Sequence, residues 1–312
     1  AAALGAPVLG AIAQQSVTLK FHTFMAPQSN VWLTMHKPWM DKVEKESNGR
    51  IKFEGYPAMQ LGGTPVQLYD QAKDGVVDIV WTLPGNTAGR FPRVEVFELP
   101  FMMNNAEATS KAYWEYVHTV AADEFKDTHV IALHVHGPGM IHTADKQVRN
   151  VGDLRGMKLR APTRQVTKLL SSVGATPVGM PLPQIPDALS KGTINGCVIP
   201  WEVVPSVKVH ELTKFHSEFP ANAPALYTTT FVMAMNKAKY ASLPADLKQI
   251  LDANSGQALA KLAGQMWDNE GVAVSDMVRK RSNSITSISA DEAARWRKTT
   301  RVQSSLKCAQ RF

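Results

Sequence analysis

The sequence predicts an α/β protein made of two similarly built lobes. Strand patterns alternate with helical patterns, beginning with a strand at residues 16–24 and a helix that leads to a second strand at residues 51–56. A helix, a glycine turn and an apolar strand occur twice with the same spacing. The 312 residues, of which 44% are hydrophobic and 20% charged, are enough for two cores.

The repeated unit is the main support for two lobes. Each copy has the pattern Gln-x-x-Asp-x-x-x-x-Gly-x-x-Asp/Asn, followed by an apolar strand. The repeated positions are Gln67, Asp70, Gly75 and Asp78 in the first copy, and Gln184, Asp187, Gly192 and Asn195 in the second. Two such units indicate two lobes rather than one continuous sheet. Chance similarity of a common local pattern is the alternative.

Apolar periodicity predicts the other main elements. We expect strands at residues 76–81, 130–135 and 227–235, and helices at residues 106–125 and 246–280. The last of these helices is long enough to brace both lobes. Gly137-Pro138-Gly139 is suited to a crossing between them. Beyond Lys298 few apolar residues keep helical spacing, so we expect a frayed end.

Arg160 stands at the carboxyl end of a short predicted strand. Met157 and Leu159 alternate with polar residues, Pro162 stops the strand, and Thr163 can cap the next helix. Ligands of open α/β sheets bind at this position, and a guanidinium beside helical N–H groups suits a carboxylate. A surface arginine in an ion pair is the other explanation that the spacing allows.

Charge and cysteine content limit the class of function. The formal net charge is +7, but Lys and Arg are scattered without a long basic run, which argues against nucleic-acid binding. The two cysteines, Cys197 and Cys308, are far apart and lack metal-ligand spacing. A disulfide between them is one option, and a buried thiol at Cys197 is the one we favour.

The first thirteen residues predict export. Residues 1–13 are almost wholly small or apolar, and Ala11-Ile12-Ala13 offers an A-x-A cleavage pattern. We expect a remnant of a secretory signal peptide, cleaved near Ala13, and a periplasmic mature chain. A short apolar N-terminal helix is the alternative. No later stretch has the roughly 18 uncharged apolar residues of a membrane span, so we expect no membrane insertion.

Motifs for catalysis and metal binding are not evident. His134 and His136 share one face of a strand and His142 follows, but no Glu or Cys stands at the spacing that a metal site needs. There is no Gly-x-Ser-x-Gly elbow, and the loops near Arg160 offer no carboxylate pair for acid-base chemistry. We therefore predict no metal and no cofactor. An α/β enzyme that acts on a carboxylate is the alternative to a binding protein.

An ordered set of short motifs carries a family resemblance. The motifs are Gly49-Arg50-Ile51, Gln60-Leu61-Gly62-Gly63, Leu99-Pro100-Phe101, Gly156-Met157-Lys158-Leu159-Arg160, and Asn195-Gly196 with Pro200. Over residues 17–296 the chain resembles the extracytoplasmic solute-binding proteins of TRAP transporters, of the DctP type. The resemblance implies a two-lobed periplasmic-binding-protein-like fold, with mixed sheets, helices on both faces, hinge strands, and a long helix that spans both lobes.

This resemblance also implies domain boundaries, a ligand class and a partner. Lobe I would comprise residues 14–137 and 226–256, and lobe II residues 138–225 and 257–312, with the ligand cleft between them. The family binds small organic acids, and Arg160 matches the arginine that holds their carboxylate. We expect a monomer that delivers its ligand to the membrane subunits of a TRAP transporter. The tail after Lys298 departs from the family pattern.

Two departures from the family narrow the ligand. Members that bind acidic sugars have a second arginine where this chain has Met140, and an asparagine where it has Ile199; Trp201 is adjacent. Apolar groups at these positions would leave a second carboxylate or a sugar unpaired. We predict a monocarboxylate with an apolar or aromatic body, such as an aromatic 2-oxo or 2-hydroxy acid. A C4-dicarboxylate or sugar-acid receptor is the alternative, with Met140 and Ile199 as core residues.

Strand-end geometry adds further candidates for the ligand site. They lie in the loop at residues 25–30, at the glycine turn, after the strand at 76–81, and on the strand at 227–235. The residues are Gln28, Asn30, Trp32, Thr64, Thr82, Asn86 and Tyr227.

Overall fold

Two mixed β-sheets form the two halves of the molecule. The structure, a computed structural model, describes the backbone of residues 16–309 and the side chains of residues 16–300. The segment at residues 1–13 lies outside this range. In spatial order the first sheet contains β2 (Ile51–Tyr56), β1 (Val17–Thr23), β3 (Ile79–Thr82), β10 (Thr230–Asn236) and β4 (Thr128–Val135). The first three strands are parallel, and β10 runs antiparallel to both of its neighbours.

The second sheet belongs to the other lobe. In spatial order it contains β11 (Ser284–Ser287), β9 (Phe215–Glu218), β5 (Gly139–Thr143), β8 (Gly196–Pro200), β6 (Lys158–Ala161) and β7 (Thr176–Gly179). Its strands β8, β6 and β7 are parallel, and β5 is antiparallel to β8 and β9. Each sheet therefore combines a parallel β-α-β part with one strand of opposite direction, β10 or β5, and further strands lie beyond that strand.

Helices cover the sheets and join them. The helices are α1 (Lys37–Glu46), α2 (Leu68–Lys73), α3 (Ala106–Tyr116), α4 (Arg164–Ser172), α5 (Ile185–Ser190), α6 (Val209–Leu212), α7 (Lys237–Ser242), α8 (Ala245–Ala253), α9 (Gly256–Lys280) and α10 (Ala290–Ala309). The long helix α9 contacts α3 and β4 in the first lobe and the turn Trp201–Val203 in the second. The predicted two-lobed α/β class, including the long spanning helix, is confirmed.

The predicted repeat is present in the structure. In each lobe a short 3₁₀ turn precedes a six-residue helix, α2 or α5, and a glycine turn leads into a buried strand, β3 or β8. Both turn glycines, Gly75 and Gly192, adopt positive φ angles of 75° and 66°, which other residues rarely adopt. The repeat therefore marks the same supersecondary unit in each lobe.

The chain passes between the sheets beside Gly139. It leaves the first sheet after β4 and enters the second at β5, while residues 219–229 return it to β10. Gly139 N–H donates to the carbonyl of Tyr227 at 3.0 Å, and the Thr228 hydroxyl donates to the carbonyl of His136 at 2.8 Å. A Cβ at Gly139 would lie 2.0 Å from the Tyr227 ring. Only glycine allows the two passages to lie this close together.

Several predicted boundaries are wrong. The helix expected at 246–280 is two helices, because the chain turns after Ala253 and Gly256 has a φ of +77°. The strand expected at 76–81 starts at Ile79, and Val76 is exposed. The strand expected at 227–235 starts at Thr230. Helix α10 continues past Lys298 to Ala309, where we expected a frayed end.

The length and the hydropathy of the helices bear on whether a segment can cross a membrane. None of those within residues 16–309 is both long enough and apolar enough to cross a bilayer.

Candidate functional site

A cleft between the two sheets is the candidate ligand site. Its empty volume is about 480 Å³, including the part that is open to solvent. The first lobe contributes Phe24, Met25, Trp81, Asn86 and Phe231, and the second contributes Arg160, Pro162, Leu182, Ile199 and Val203. His136, Tyr227 and Thr229 from the crossing segments, and Trp267 from α9, complete most of the wall.

Arg160 lies at the carboxyl end of β6, directly before α4. Its side chain is 4% exposed. Nε donates to the Met180 carbonyl at 2.9 Å and Nη1 to the Val198 carbonyl at 3.4 Å. These bonds fix the guanidinium plane without neutralising it. Burial lowers the pKa of Arg160 from its ordinary value, but arginine remains protonated in proteins.

The positive charge of Arg160 has no carboxylate counterion within residues 16–300. The ion pairs in that range join other residues, and one of them pairs Arg164, four residues further along the chain, with Glu95. Arg160 is also the only Lys, Arg, Asp or Glu among the described residues of the cleft wall. A buried, unpaired cation is unfavourable in the free protein. It is therefore suited to an anionic ligand that supplies the missing charge.

Stacked aromatic rings form the facing wall. The ring centroids of Trp81 and Phe231 are 4.3 Å apart with planes 13° from parallel, and Phe231 and Trp267 are 6.0 Å and 18° apart. The Trp81 indole N–H donates to His134 Nε2 at 2.8 Å, which fixes the orientation of the indole. This wall offers π-faces to a planar apolar group.

Polar contacts across the cleft hold the lobes together beside Arg160. Glu95, in the first lobe, pairs with Arg164 at 2.5 Å and also accepts a hydrogen bond from Gln165. The Thr163 side chain lies beside the buried Glu98. These three residues of the second lobe form the start of α4, which follows Arg160 directly. Arg160 and these contacts between the lobes therefore belong to one short segment.

Two buried carboxyl groups lie close to the crossing segments. Burial raises the pKa of Glu98 to about 7 and that of Glu202 to about 8. Glu98 Oε1 accepts from the Thr230 N–H at 3.1 Å and its hydroxyl at 3.0 Å, which opposes the shift. Glu202 Oε2 has no hydrogen-bond partner in the described part of the chain.

Four of the sequence-predicted site residues line the cleft. They are Arg160, Ile199, Asn86 and Tyr227. Thr82 is next to them, because its hydroxyl accepts from Asn86 Nδ2 at 3.4 Å.

Trp201 and Met140 lie outside the cleft wall. Trp201 belongs to a 3₁₀ turn that directs its indole to Glu218 at 2.8 Å and packs it on His142 at 5.0 Å. Val203, from the same turn, lines the cleft instead. Met140 pairs with Ile199 across the sheet and is half-buried beside the core.

The remaining predicted residues have roles within the first lobe or at its surface. Asn30 donates to Glu270 of α9 at 3.1 Å. Trp32 packs on Phe21 at 6.2 Å. Gln28 and Thr64 are exposed, and Thr64 caps the 3₁₀ turn Pro65–Gln67. The structure brings none of these four into the cleft wall.

Sequence reasoning missed Thr229, Phe231, His136, Trp81 and Trp267 as wall residues. Tyr227, Thr229 and Phe231 follow a two-residue period, so one shared face was a signal that could have found two of them. Trp267 lies roughly 16 Å along α9 from the nearer end of the helix, and only the tertiary structure brings it to the cleft.

The histidines and Cys197 have other environments. His142 Nδ1 lies 2.7 Å from His216 Nδ1 within the second sheet, away from His134 and His136. Within residues 16–300 no three His, Cys, Asp or Glu side chains are grouped as a metal would need. Cys197 is a buried free thiol whose pKa burial raises to about 12. The side chain of Cys308 lies outside the described residues.

Two lobes around an apolar cleft that contains one buried cation define a class, the two-lobed solute receptors. Comparison with known proteins gives the family. The model of the DctP family, described as bacterial extracellular solute-binding protein, family 7, matches residues 21–306. The chain belongs to this family, the solute-binding proteins of TRAP transporters. It is a periplasmic solute receptor and not an enzyme.

Three solved structures are similar over nearly the whole chain. One, from Rhodoferax ferrireducens T118, is a TRAP solute-binding protein with copurified benzoate; it is 66% identical, covers 92% of this chain and 89% of its own, and has a TM-score of 0.91. A marine metagenome protein specific for aromatic acids, with 3-hydroxybenzoate, is 53% identical, with coverages of 92% and 89% and a TM-score of 0.90. A Bordetella bronchiseptica protein with (R)- and (S)-mandelate is 27% identical, with coverages of 94% and 93% and a TM-score of 0.85.

Proposed function

We propose that this receptor binds an aromatic monocarboxylate, with the carboxylate on Arg160 and the ring against the aromatic wall. The observation that carries the proposal is the buried guanidinium without a counterion, which faces a cleft whose other described residues are uncharged. A single fixed charge suits one carboxylate. Benzoate, 3-hydroxybenzoate and mandelate in the three similar receptors support the same ligand class.

Binding proceeds through closure of the lobes. The carboxylate first pairs with Arg160 in the second lobe, and the ring then contacts Trp81 and Phe231 in the first. Because these contacts require both lobes, the ligand shifts the population toward the closed form. Glu95 and Arg164 pair in that form and stabilise it further.

Delivery to a transporter completes the function. The closed receptor, a monomer, docks on the membrane subunits of a TRAP transporter and releases the acid there. Its lobes comprise residues 14–137 with 226–256, and 138–225 with 257–312. Residues 1–13 are the remnant of an export signal that is cleaved near Ala13, and they lie outside the described residues.

A calorimetric panel tests the ligand class. Benzoate, phenylacetate, mandelate and phenylpyruvate would be titrated beside succinate and galacturonate. We expect at least one aromatic acid to bind. We expect neither the dicarboxylate nor the sugar acid to bind, because Arg160 is the only charged residue among the described residues of the cleft wall. Binding of only the last two would contradict the proposal and favour the alternative receptor class.

A further inference from the structure

His136 has one ring nitrogen engaged and one left open in the cleft wall. Its Nδ1 lies 2.5 Å from the carbonyl oxygen of Gly137. A carbonyl can only accept, so Nδ1 carries the proton and Nε2 carries a lone pair. The backbone of the crossing segment therefore makes His136 an acceptor at Nε2.

The surroundings of His136 leave that acceptor without a partner. The ring is 4% exposed and packs edge-on against Tyr227 at 5.4 Å, and against Phe231 and Trp267 at 6.0 and 6.1 Å. No hydrogen bond to Nε2 occurs in the part of the chain that the structure describes. Burial lowers the pKa of His136 to about 3, so the ring stays neutral and Nε2 remains an acceptor at physiological pH.

A carboxylate alone does not satisfy this wall. Ionised carboxylates only accept hydrogen bonds, and Arg160 already supplies donors for them. Tyr227, which packs against His136, and Thr229 also line the cleft, and the hydroxyl of neither has a hydrogen-bond partner among the described residues. A ligand hydroxyl would donate to Nε2 and could accept from one of these groups. An unsubstituted ring would leave the buried acceptor unpaired, which is unfavourable.

We propose that His136 is a specificity-determining residue that accepts a hydrogen bond from a hydroxyl of the bound acid, so that the receptor prefers hydroxylated aromatic monocarboxylates to their parent acids. The inference rests on the proposed function, because it assumes that the aromatic acid occupies this cleft. The hydroxyl stands on the ring or on the carbon next to the carboxylate, and two ligand pairs distinguish these positions.

The experiment measures a ratio of dissociation constants within each pair. The pairs are benzoate with 3-hydroxybenzoate, and phenylacetate with mandelate, titrated by calorimetry at pH 7. In the wild type we expect the hydroxylated acid of one pair to bind about 10-fold more tightly or better, and that pair locates the hydroxyl. In His136→Phe the ratio falls to near one. His136→Leu repeats the measurement with a smaller side chain in case the first variant does not fold.

Two further variants separate the acceptor role from packing. His136→Gln restores a side-chain carbonyl, so it should recover part of the preference that His136→Phe loses. His129→Phe makes the same change at the other end of β4, where His129 stacks on Tyr240 outside the cleft, and should keep the wild-type ratio.

Three results would overturn the inference. They are a wild-type ratio near one in both pairs, a preference that persists in His136→Phe and His136→Leu, and a preference lost only in Thr229→Val. Each leaves aromatic acids bound, so it differs from failure of the proposed function, in which neither acid of either pair binds.

Discussion

The two lobes share the same pairing of strands and the same supporting hydrogen bond, but they differ at the strand position that Arg160 occupies in the second lobe. In the first lobe the backbone N–H of Lys20 donates to Asp78 at 2.8 Å, and in the second that of Lys158 donates to Asn195 at 2.8 Å. Strands β1 and β3 pair in the same register as β6 and β8. In this register His22 of the first lobe occupies the position of Arg160 in the second.

His22 and Arg160 satisfy their polar atoms differently. His22 Nδ1 lies 2.7 Å from Gln71 Oε1, and Nε2 accepts from the N–H of Leu61 at 3.4 Å, so the imidazole is engaged within its own lobe. Arg160 keeps a charge that no described residue neutralises. The same strand register and supporting hydrogen bond therefore occur in both lobes, and among the described cleft residues the second lobe alone carries a charged group, the one that we propose binds the ligand.

The largest effect is expected from removing this asymmetry. Arg160→Met should weaken binding of an aromatic acid about 10³-fold, because charged hydrogen bonds contribute roughly 1.5–3 kcal/mol each and two are lost. The melting temperature of the ligand-free protein should stay the same or rise, since an unpaired buried cation disappears. Calorimetry and thermal denaturation measure the two effects.

Lys158→Met is the matched control for this prediction. It removes a positive charge from the same strand, at an exposed position. Affinity should change less than about 2-fold, as expected for a screened surface charge. Equal losses in both variants would mean that general electrostatic attraction, and not the position of Arg160, anchors the ligand.

A second asymmetry concerns the buried carboxyl groups and predicts a pH dependence. The pKa of Glu202 is about 8 in the folded protein, well above its ordinary value. Its contribution to stability is therefore complete below about pH 4.5 and is lost as the pH rises toward 8. Glu202→Gln should raise the free energy of unfolding by on the order of 4 kcal/mol at pH 8 and by less than about 1 kcal/mol at pH 5, because each pH unit of the shift corresponds to about 1.4 kcal/mol.

Glu98 provides the comparison for Glu202. Its carboxyl has the same direction of shift, with a pKa of about 7, but Oε1 accepts two hydrogen bonds from Thr230. Glu98→Gln should therefore gain less at pH 8, because the amide disturbs those bonds. Urea denaturation at pH 5 and 8 distinguishes the variants, and identical pH profiles for Glu202→Gln and the wild type would contradict the prediction.

The smallest effect is expected from variants that remove the supporting hydrogen bond of one lobe or the other. They test whether that bond contributes equally to stability in both lobes. Asp78→Ala and Asn195→Ala each remove the acceptor of a strand N–H and should each lower the free energy of unfolding by about 1–2 kcal/mol. Asp74→Ala, at an exposed acid four residues before Asp78 in the sequence, should have an effect below about 0.5 kcal/mol. If only one of Asp78→Ala and Asn195→Ala lowers the stability, the two hydrogen bonds are not equivalent.

Local patterns were enough to predict the repeat and to place Arg160 at a strand end, whereas the expectation that Arg160 binds a carboxylate depended also on the family resemblance. A strand stop, a helix cap and a glycine turn depend on neighbours within a few residues, so the local sequence alone determines them. Trp201 shows the limit of this reasoning. Strand alternation does not continue through the turn Trp201–Val203, so the indole lies behind the wall and Val203 lies in it.

Long-range contacts explain the other omissions. Trp267 reaches the cleft only because α9 is held against both lobes, with Asp268 accepting from the N–H groups of Ala106 and Glu107 at 2.7 and 2.9 Å. Asn30 was expected in the cleft, but it pairs with Glu270 on the same helix. Neither partner could be identified from sequence neighbours alone.

The stacked aromatic wall also has a consequence for the intrinsic fluorescence of the receptor. Trp81 and Trp267 both line the cleft, and the rings of both stack on the phenyl group of Phe231. An aromatic acid that binds there changes the environment of both indole rings. Tryptophan emission of the unlabelled protein should therefore follow ligand occupancy directly, without an attached dye.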